Sequence, residues 1–186
     1  LSFKILKSIT NSSPGSIELD PGRRQFLLMS MNLGIVGVTS VLGGIGLLQA
    51  RRKATIITQS ITIPNLPAEF QGLKIAQISD LHVGPTIKAD YTRMVVDQVN
   101  ALQPDLIFFT GDMVDGSVDR LSMDVEPLRD LKSKYGTYFV TGNHEYYSGA
   151  MQWVNKVGEL GMIHLENEHR ILKKGEASLA IAGVTD

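Results

Sequence analysis

Phe26 through Ala50 is an unbroken run of 25 residues without a charged side chain, FLLMSMNLGIVGVTSVLGGIGLLQA. About 20 such residues cross a bilayer core as a helix, so a run this long has few alternative fates. Arg23-Arg24 precede it and Arg51-Arg52-Lys53 follow it, which would stop it at both head-group regions. Ser40 and Gly44 form a small-xxx-small pair, and Gly34, Gly37, Gly43 and Gly46 add sites where helices approach closely. The alternative is a buried helix of a soluble domain, and the glycines and charged flanks weigh against it. The expectation is a polar and basic juxtamembrane segment over residues 1–25, then a transmembrane helix or uncleaved signal anchor over 26–50. The Arg23-Arg24-Gln25-Phe26-Leu27 stretch resembles a twin-arginine export signal. No A-x-A-like cleavage site precedes Arg51, however, which favours an anchor.

Charge divides the chain at the same place. Residues 1–53 carry seven basic and two acidic residues, whereas residues 54–186 carry eleven basic and seventeen acidic ones. An acidic second part argues against nucleic acid as a partner, because phosphate backbones need a basic face. The chain has no cysteine, which removes disulfide scaffolds, thiolate metal sites and cysteine nucleophiles together.

Residues 54–186 read as one α/β domain. Thr55–Ile63 alternates apolar and polar residues, with Ile57, Ile61 and Ile63 on one parity, and predicts a strand ended by Pro64 and Pro67. Leu73–Ser79 and Leu106–Thr110 are short apolar runs that suit buried strands, as does Tyr138–Thr141. Helical spacing predicts helices over about Ala89–Leu102, Asp124–Lys134 and Gly149–Leu160. Short strands are expected near Met162–Leu165, His169–Leu172 and Ser178–Val184. Strands alternating with helices at this pitch predict βαβ units and a mainly parallel sheet.

Each of the first three core strands ends on a polar cluster: Asp80-Leu81-His82, Gly111-Asp112 and Gly142-Asn143-His144-Glu145. Asp80 and Asp112 are 32 residues apart and Asp112 and Asn143 are 31 apart, close to the roughly 30 residues of one βαβ unit. In open α/β sheets the functional crevice lies beyond the carboxyl ends of the strands, so the clusters should converge on one rim. Carboxylates, imidazoles and an amide make a hard, mixed oxygen and nitrogen ligand set, suited to Fe, Mn or Zn rather than to soft metals.

These motifs resemble the calcineurin-like metallophosphoesterases, whose pattern D-x-H…G-D…G-N-H-[ED] stands here as Asp80-Leu-His82, Gly111-Asp112 and Gly142-Asn-His-Glu145. The flanking text, ISDLHVGPTI, LIFFTGDMVDGS and YFVTGNHEYYSG, is most similar to the membrane-associated bacterial branch of that family. The resemblance covers roughly residues 70–186. It implies an αββα sandwich, of which this chain holds the first part. It also implies a dinuclear centre of two divalent or trivalent ions, with Asp80 and His82 on one metal, Asp112 bridging and Asn143 on the second. His144 would contact the phosphoryl group as proton donor or transition-state stabiliser, and Ser79, Asp115 and Glu145 would support the ligands or the substrate loop.

The implied activity is hydrolysis of phosphate mono- or diesters beside a lipid bilayer, with a bacterial cytoplasmic membrane as the expected location. The family pattern continues with further histidines, including a G-H-x-H segment. After His144 this sequence has only His164 and His169, in other contexts. The 54–186 domain is therefore expected to be incomplete at its C-terminal side and this chain alone to be inactive. A non-catalytic metal-binding scaffold on the same fold is the alternative, and a nuclease would need a basic groove that residues 54–186 do not show.

Overall fold

The computed structural model describes residues 20–185, so most of the expected 1–25 segment lies outside the described residues. The chain separates into two units, residues 1–46 and 47–186. In the first, α1 (Pro21–Ala50) is a 30-residue helix, about 45 Å long at 1.5 Å per residue. None of its residues is buried, so among the described residues nothing gives it the apolar covering of a soluble core helix. It is long and apolar enough to cross a membrane. It starts five residues before the uncharged run because Pro21 suits a first turn and the Asp20 side chain accepts the Gly22 N–H at 2.9 Å.

The second unit is built on a parallel sheet of β1 (Ile75–Ile78), β2 (Leu106–Thr110), β3 (Thr137–Val140) and β4 (Ile163–His164), in that spatial order. Register pairs Ile78 with Phe109 and Thr110 with Val140, which brings the strands' C-terminal ends level at one rim. The connections are α2 (Ala89–Ala101), α3 (Val118–Val125), α4 (Asn143–Ser148) and α5 (Ala150–Glu159). Side-chain alternation along β2 and β3 sorts the two faces. Ile107, Phe109 and Phe139 pack with Val96 of α2, Val125 of α3 and Trp153 of α5 in the main core. Leu106, Tyr138 and Leu165 form a second core with Ile181, from the antiparallel hairpin β5 (Glu168–Lys174) and β6 (Ala177–Gly183). Helices thus cover one face of the sheet and the hairpin covers the other.

Two expectations are corrected. Residues 54–63 form no strand, and Ile57, Ile61 and Ile63 are exposed, Ile61 at 80%. Alternation permits a strand, but a strand exists only where a neighbour accepts its ladder hydrogen bonds. The second helix of the domain lies at Val118–Val125 rather than Asp124–Lys134, and a 3-10 turn over Glu126–Asp130 follows it. Ser117 stands at its N-cap position, and Pro127 lacks the N–H that an α-helix would need to continue.

Candidate metal centre

The loops that leave β1, β2 and β3 are pressed together at the rim. Two glycines make that approach feasible. A Cβ on Gly111 would lie 2.4 Å from the Gly142 nitrogen, and one on Gly142 would lie 2.3 Å from Asp112 Oδ1. Gly111 also has φ of 80°, in the left-handed region that favours glycine. Asp80, His82 and Asp112 have φ of 56°, 47° and 52°. Non-glycine residues are held there only where surrounding contacts over-determine the backbone, a pattern that concentrates at functional sites. Here the contacts are visible: Asp80 N donates to Gly111 O at 3.3 Å, His82 N to Asp112 O at 3.0 Å and Val83 N to Met113 O at 2.8 Å.

Glu145 locks the same turns from below. It is fully buried, and its carboxylate accepts the N–H groups of Asp112 (2.9 Å), Met113 (2.8 Å) and Gly142 (2.8 Å). A buried carboxylate requires such donors. By bonding the backbone after β2 and after β3, Glu145 couples the turns that present Asp112 and Asn143. In the sequence the family resemblance implies only a supporting role for it.

Asp115 is the hub for the two imidazoles. Its Oδ1 lies 3.0 Å from His82 Nδ1 and 2.5 Å from His144 Nδ1. An ionised carboxylate can only accept, so both rings present Nδ1–H to it and leave Nε2 free. The His82 and His144 rings meet edge to face at 4.5 Å. Partial burial opposes charge on His82, but the bond to Asp115 and the carboxylates of Asp115, Asp112 and Asp80 outweigh it and raise its pKa. Burial likewise opposes charge on Asp115, and the bonds and positive potential of His82 and His144 outweigh it, holding its pKa below the usual carboxylate value. In the sequence the resemblance implies only a supporting role for Asp115. The signal for its role was its place three residues after Asp112, where the Val83–Val114 parallel bridge sets it beside the His82 loop.

The free Nε2 of His82 stands 3.9 Å from Asp80 Oδ1 and 3.9 Å from Asp112 Oδ2. Donor atoms of Asp80, His82 and Asp112 lie within 4.8 Å of one another, as do those of His82, Asp115 and His144. Metal bonds of about 2.0–2.2 Å put neighbouring ligand atoms roughly 3–3.5 Å apart, so the first set needs only a small contraction. Asn143 supplies a second sign. Turned one way, its amide nitrogen donates to Asp112 Oδ1 and Oδ2 at 3.2 and 3.3 Å. Turned the other way, its oxygen faces only those acceptors, an arrangement that a cation between them would stabilise. The donor set therefore fits hard metal ions. Asp112 lies between His82 and Asn143, and its Oδ1 also accepts the His144 N–H at 3.1 Å. Ser79 Oγ bonds the Asp80 carboxylate, and the exposed Tyr147 ring lies 5.9 Å from His144.

A parallel sheet whose rim gathers carboxylates, imidazoles and an amide from three successive strand ends defines a metallophosphoesterase-type α/β domain. The model of the calcineurin-like phosphoesterase family matches residues 73–178, and the chain belongs to that family. It is 39% identical over 158 residues to a transmembrane protein with metallophosphoesterase domain of Bos taurus, covering 81% of this chain and 36% of that protein. A protein of the same description from Danio rerio is 33% identical over 153 residues, 80% of this chain and 35% of the relative. An uncharacterized metallophosphoesterase of Helicobacter pylori is 38% identical over 96 residues, 52% of this chain and 26% of the relative. The chain thus spans about a third of the length of the first two relatives.

Proposed function

We propose that the protein is a membrane-tethered hydrolase of phosphate mono- or diesters with a dinuclear metal centre. The observation that carries this reading is that one carboxylate, Asp112, stands within reach of two donor groups, 3.9 Å from His82 Nε2 and 3.2–3.3 Å from the Asn143 amide. A carboxylate there can serve two ions, Asp80 and His82 holding one and Asn143 the other. When bound, such ions supply Lewis acidity for the phosphoryl oxygens and activate the attacking water. Asp115 fixes the tautomer of His82, so that Nε2 is kept for a metal, and fixes that of His144, so that Nε2 is kept for the substrate. Only when protonated on both nitrogens can His144 give its Nε2 proton to the leaving oxygen, or a charged hydrogen bond to the phosphoryl group, while Nδ1–H stays on Asp115. Glu145 holds the two turns that set these distances. The helix α1 supplies the tether.

Asp112→Asn and His144→Ala, made in the full-length protein loaded with Mn2+, should each lower turnover of p-nitrophenyl phosphate and bis-p-nitrophenyl phosphate by at least about 100-fold. Retained turnover in either variant refutes the assignment. A metal-dependent scaffold on the same fold is the second reading. It is favoured by the small donor set on the Asn143 side, where Asp112 and Asn143 are the donors among the described residues. Metal binding without turnover of any ester by the full-length protein would select it.

A further inference from the structure

Beside the rim lies a cleft of about 400 Å³ that shares Ser79, Asp80, His82 and Asp115 with the metal centre. That volume is within the range of small-molecule sites. Away from the shared cluster its character changes. Ala50, Ala54, Ile78, Leu81, Ile87 and Val95 line it, and the hydroxyls of Thr86 and Tyr91 are the other polar groups among its lining residues. Among the described residues no lysine or arginine lines it, and a sugar or nucleotide would find few hydrogen-bonding partners there. Desolvating their hydroxyls against such walls without replacement bonds is unfavourable.

The wall made by residues 50–54 is held in place rather than draped. Arg51 pairs with Asp90 at the start of α2, and Gln98 Nε2, two turns further along α2, donates to Ala54 O at 2.9 Å. Ile87 and Tyr91 opposite are packed against the main core. Ala50 is also the last residue of α1. The same cleft is therefore lined by Ala50, where the chain leaves α1, and by the carboxylates and imidazoles.

We propose that this cleft receives the apolar arm of an amphiphilic phosphate ester whose phosphoryl group reaches the Asp80–His82–Asp112 cluster. The substrate class is then a lipid phosphate rather than a soluble sugar or nucleotide ester. This assignment rests on the phosphoesterase reading and narrows its substrate. The occupant is chosen by the lining: the cleft shares the polar cluster, its remaining walls are mostly apolar, and among them are residues at and just after the end of a helix apolar enough for lipid.

The test uses the full-length, Mn2+-loaded protein in a non-ionic detergent and a series of non-hydrolysable n-alkylphosphonates from ethyl to octyl. Calorimetric binding is measured alongside hydrolysis of p-nitrophenyl phosphate. Each methylene that enters the cleft should lower Kd by roughly fourfold at full burial. Ala54→Trp, which fills the cleft from an exposed backbone position, should flatten that gradient by at least about tenfold at octyl, the equivalent of three or so half-buried methylenes. Partition into detergent is common to both proteins, so the difference between them belongs to the cleft. A Kd independent of chain length in the parent protein overturns the inference even while p-nitrophenyl phosphate is still turned over. Identical gradients in the parent and Ala54→Trp overturn it as well. A gradient without turnover of any ester refutes the hydrolase reading, and with it the role of the cleft as a substrate arm.

Discussion

Glu145 is the residue whose removal tests the architecture of the site most directly. Its carboxylate is the only acceptor, among the described residues, for three backbone N–H groups at the rim, those of Asp112, Met113 and Gly142. Hydrogen bonds to a charged acceptor contribute about 1.5–3 kcal/mol each, and a buried donor left alone costs about 1–3 kcal/mol. Water entering the vacated space recovers part of that. Glu145→Ala should therefore destabilise the domain by about 3–5 kcal/mol, at the upper end of what single substitutions do. Glu145→Gln separates the hydrogen bonds from the packing. Oε2 serves Asp112 and Gly142 while Oε1 serves Met113. A glutamine oxygen in the Oε2 place keeps two bonds and sets its NH2 against the Met113 N–H. The expected loss is about 2–3 kcal/mol, although the volume is unchanged. Urea unfolding followed through Trp153, the chain's one tryptophan and a buried one, reads both variants. Mn2+ affinity should fall with stability, because the same turns carry Asp112 and Asn143. If Glu145→Gln unfolds within about 0.5 kcal/mol of the parent, the carboxylate is a packing element only and the account of the rim is wrong.

Gly142→Ala should destabilise by more than about 2 kcal/mol, since its Cβ would stand 2.3 Å from Asp112 Oδ1 and 2.7 Å from the Asp112 nitrogen. Gly158→Ala, on the exposed side of α5 with nothing within 4 Å, should instead stabilise by about 0.5–1 kcal/mol. Thermal unfolding of the two variants distinguishes them by sign, and a neutral Gly142→Ala would remove the close-approach argument. Asp115→Ala frees both imidazoles from their common anchor and should weaken Mn2+ binding by about 10–100-fold while the fold persists. A chelator-competition titration measures this, and unchanged affinity would show that His82 needs no orienting partner.

The order of motifs along the chain already implied that they converge at one rim. Three apolar runs, each ending on a carboxylate or amide and spaced by one βαβ unit, brought Asp80, His82, Asp112, Asn143 and His144 to one rim before any coordinates, because parallel strands connected this way must end on the same edge. The uncharged 25-residue run was equally legible, since its length and flanking charges are local properties. What remained unreadable is non-local. Thr55–Ile63 has the alternation of a strand, yet alternation says nothing about whether a neighbouring edge is free to pair. The helix after β2 runs over Val118–Val125 rather than from Asp124, and Pro127, which lacks an N–H, stands in the 3-10 turn that follows it. The roles of Asp115 and Glu145 depend on atoms contributed from about 30 residues away, and sequence spacing of common acidic residues does not reveal them. Local pattern states which residues can be buried or exposed, and at what period. Which turn presses against which, with Gly111 against Gly142 and a carboxylate between two imidazoles, is decided only when the sheet closes and distant segments share one volume.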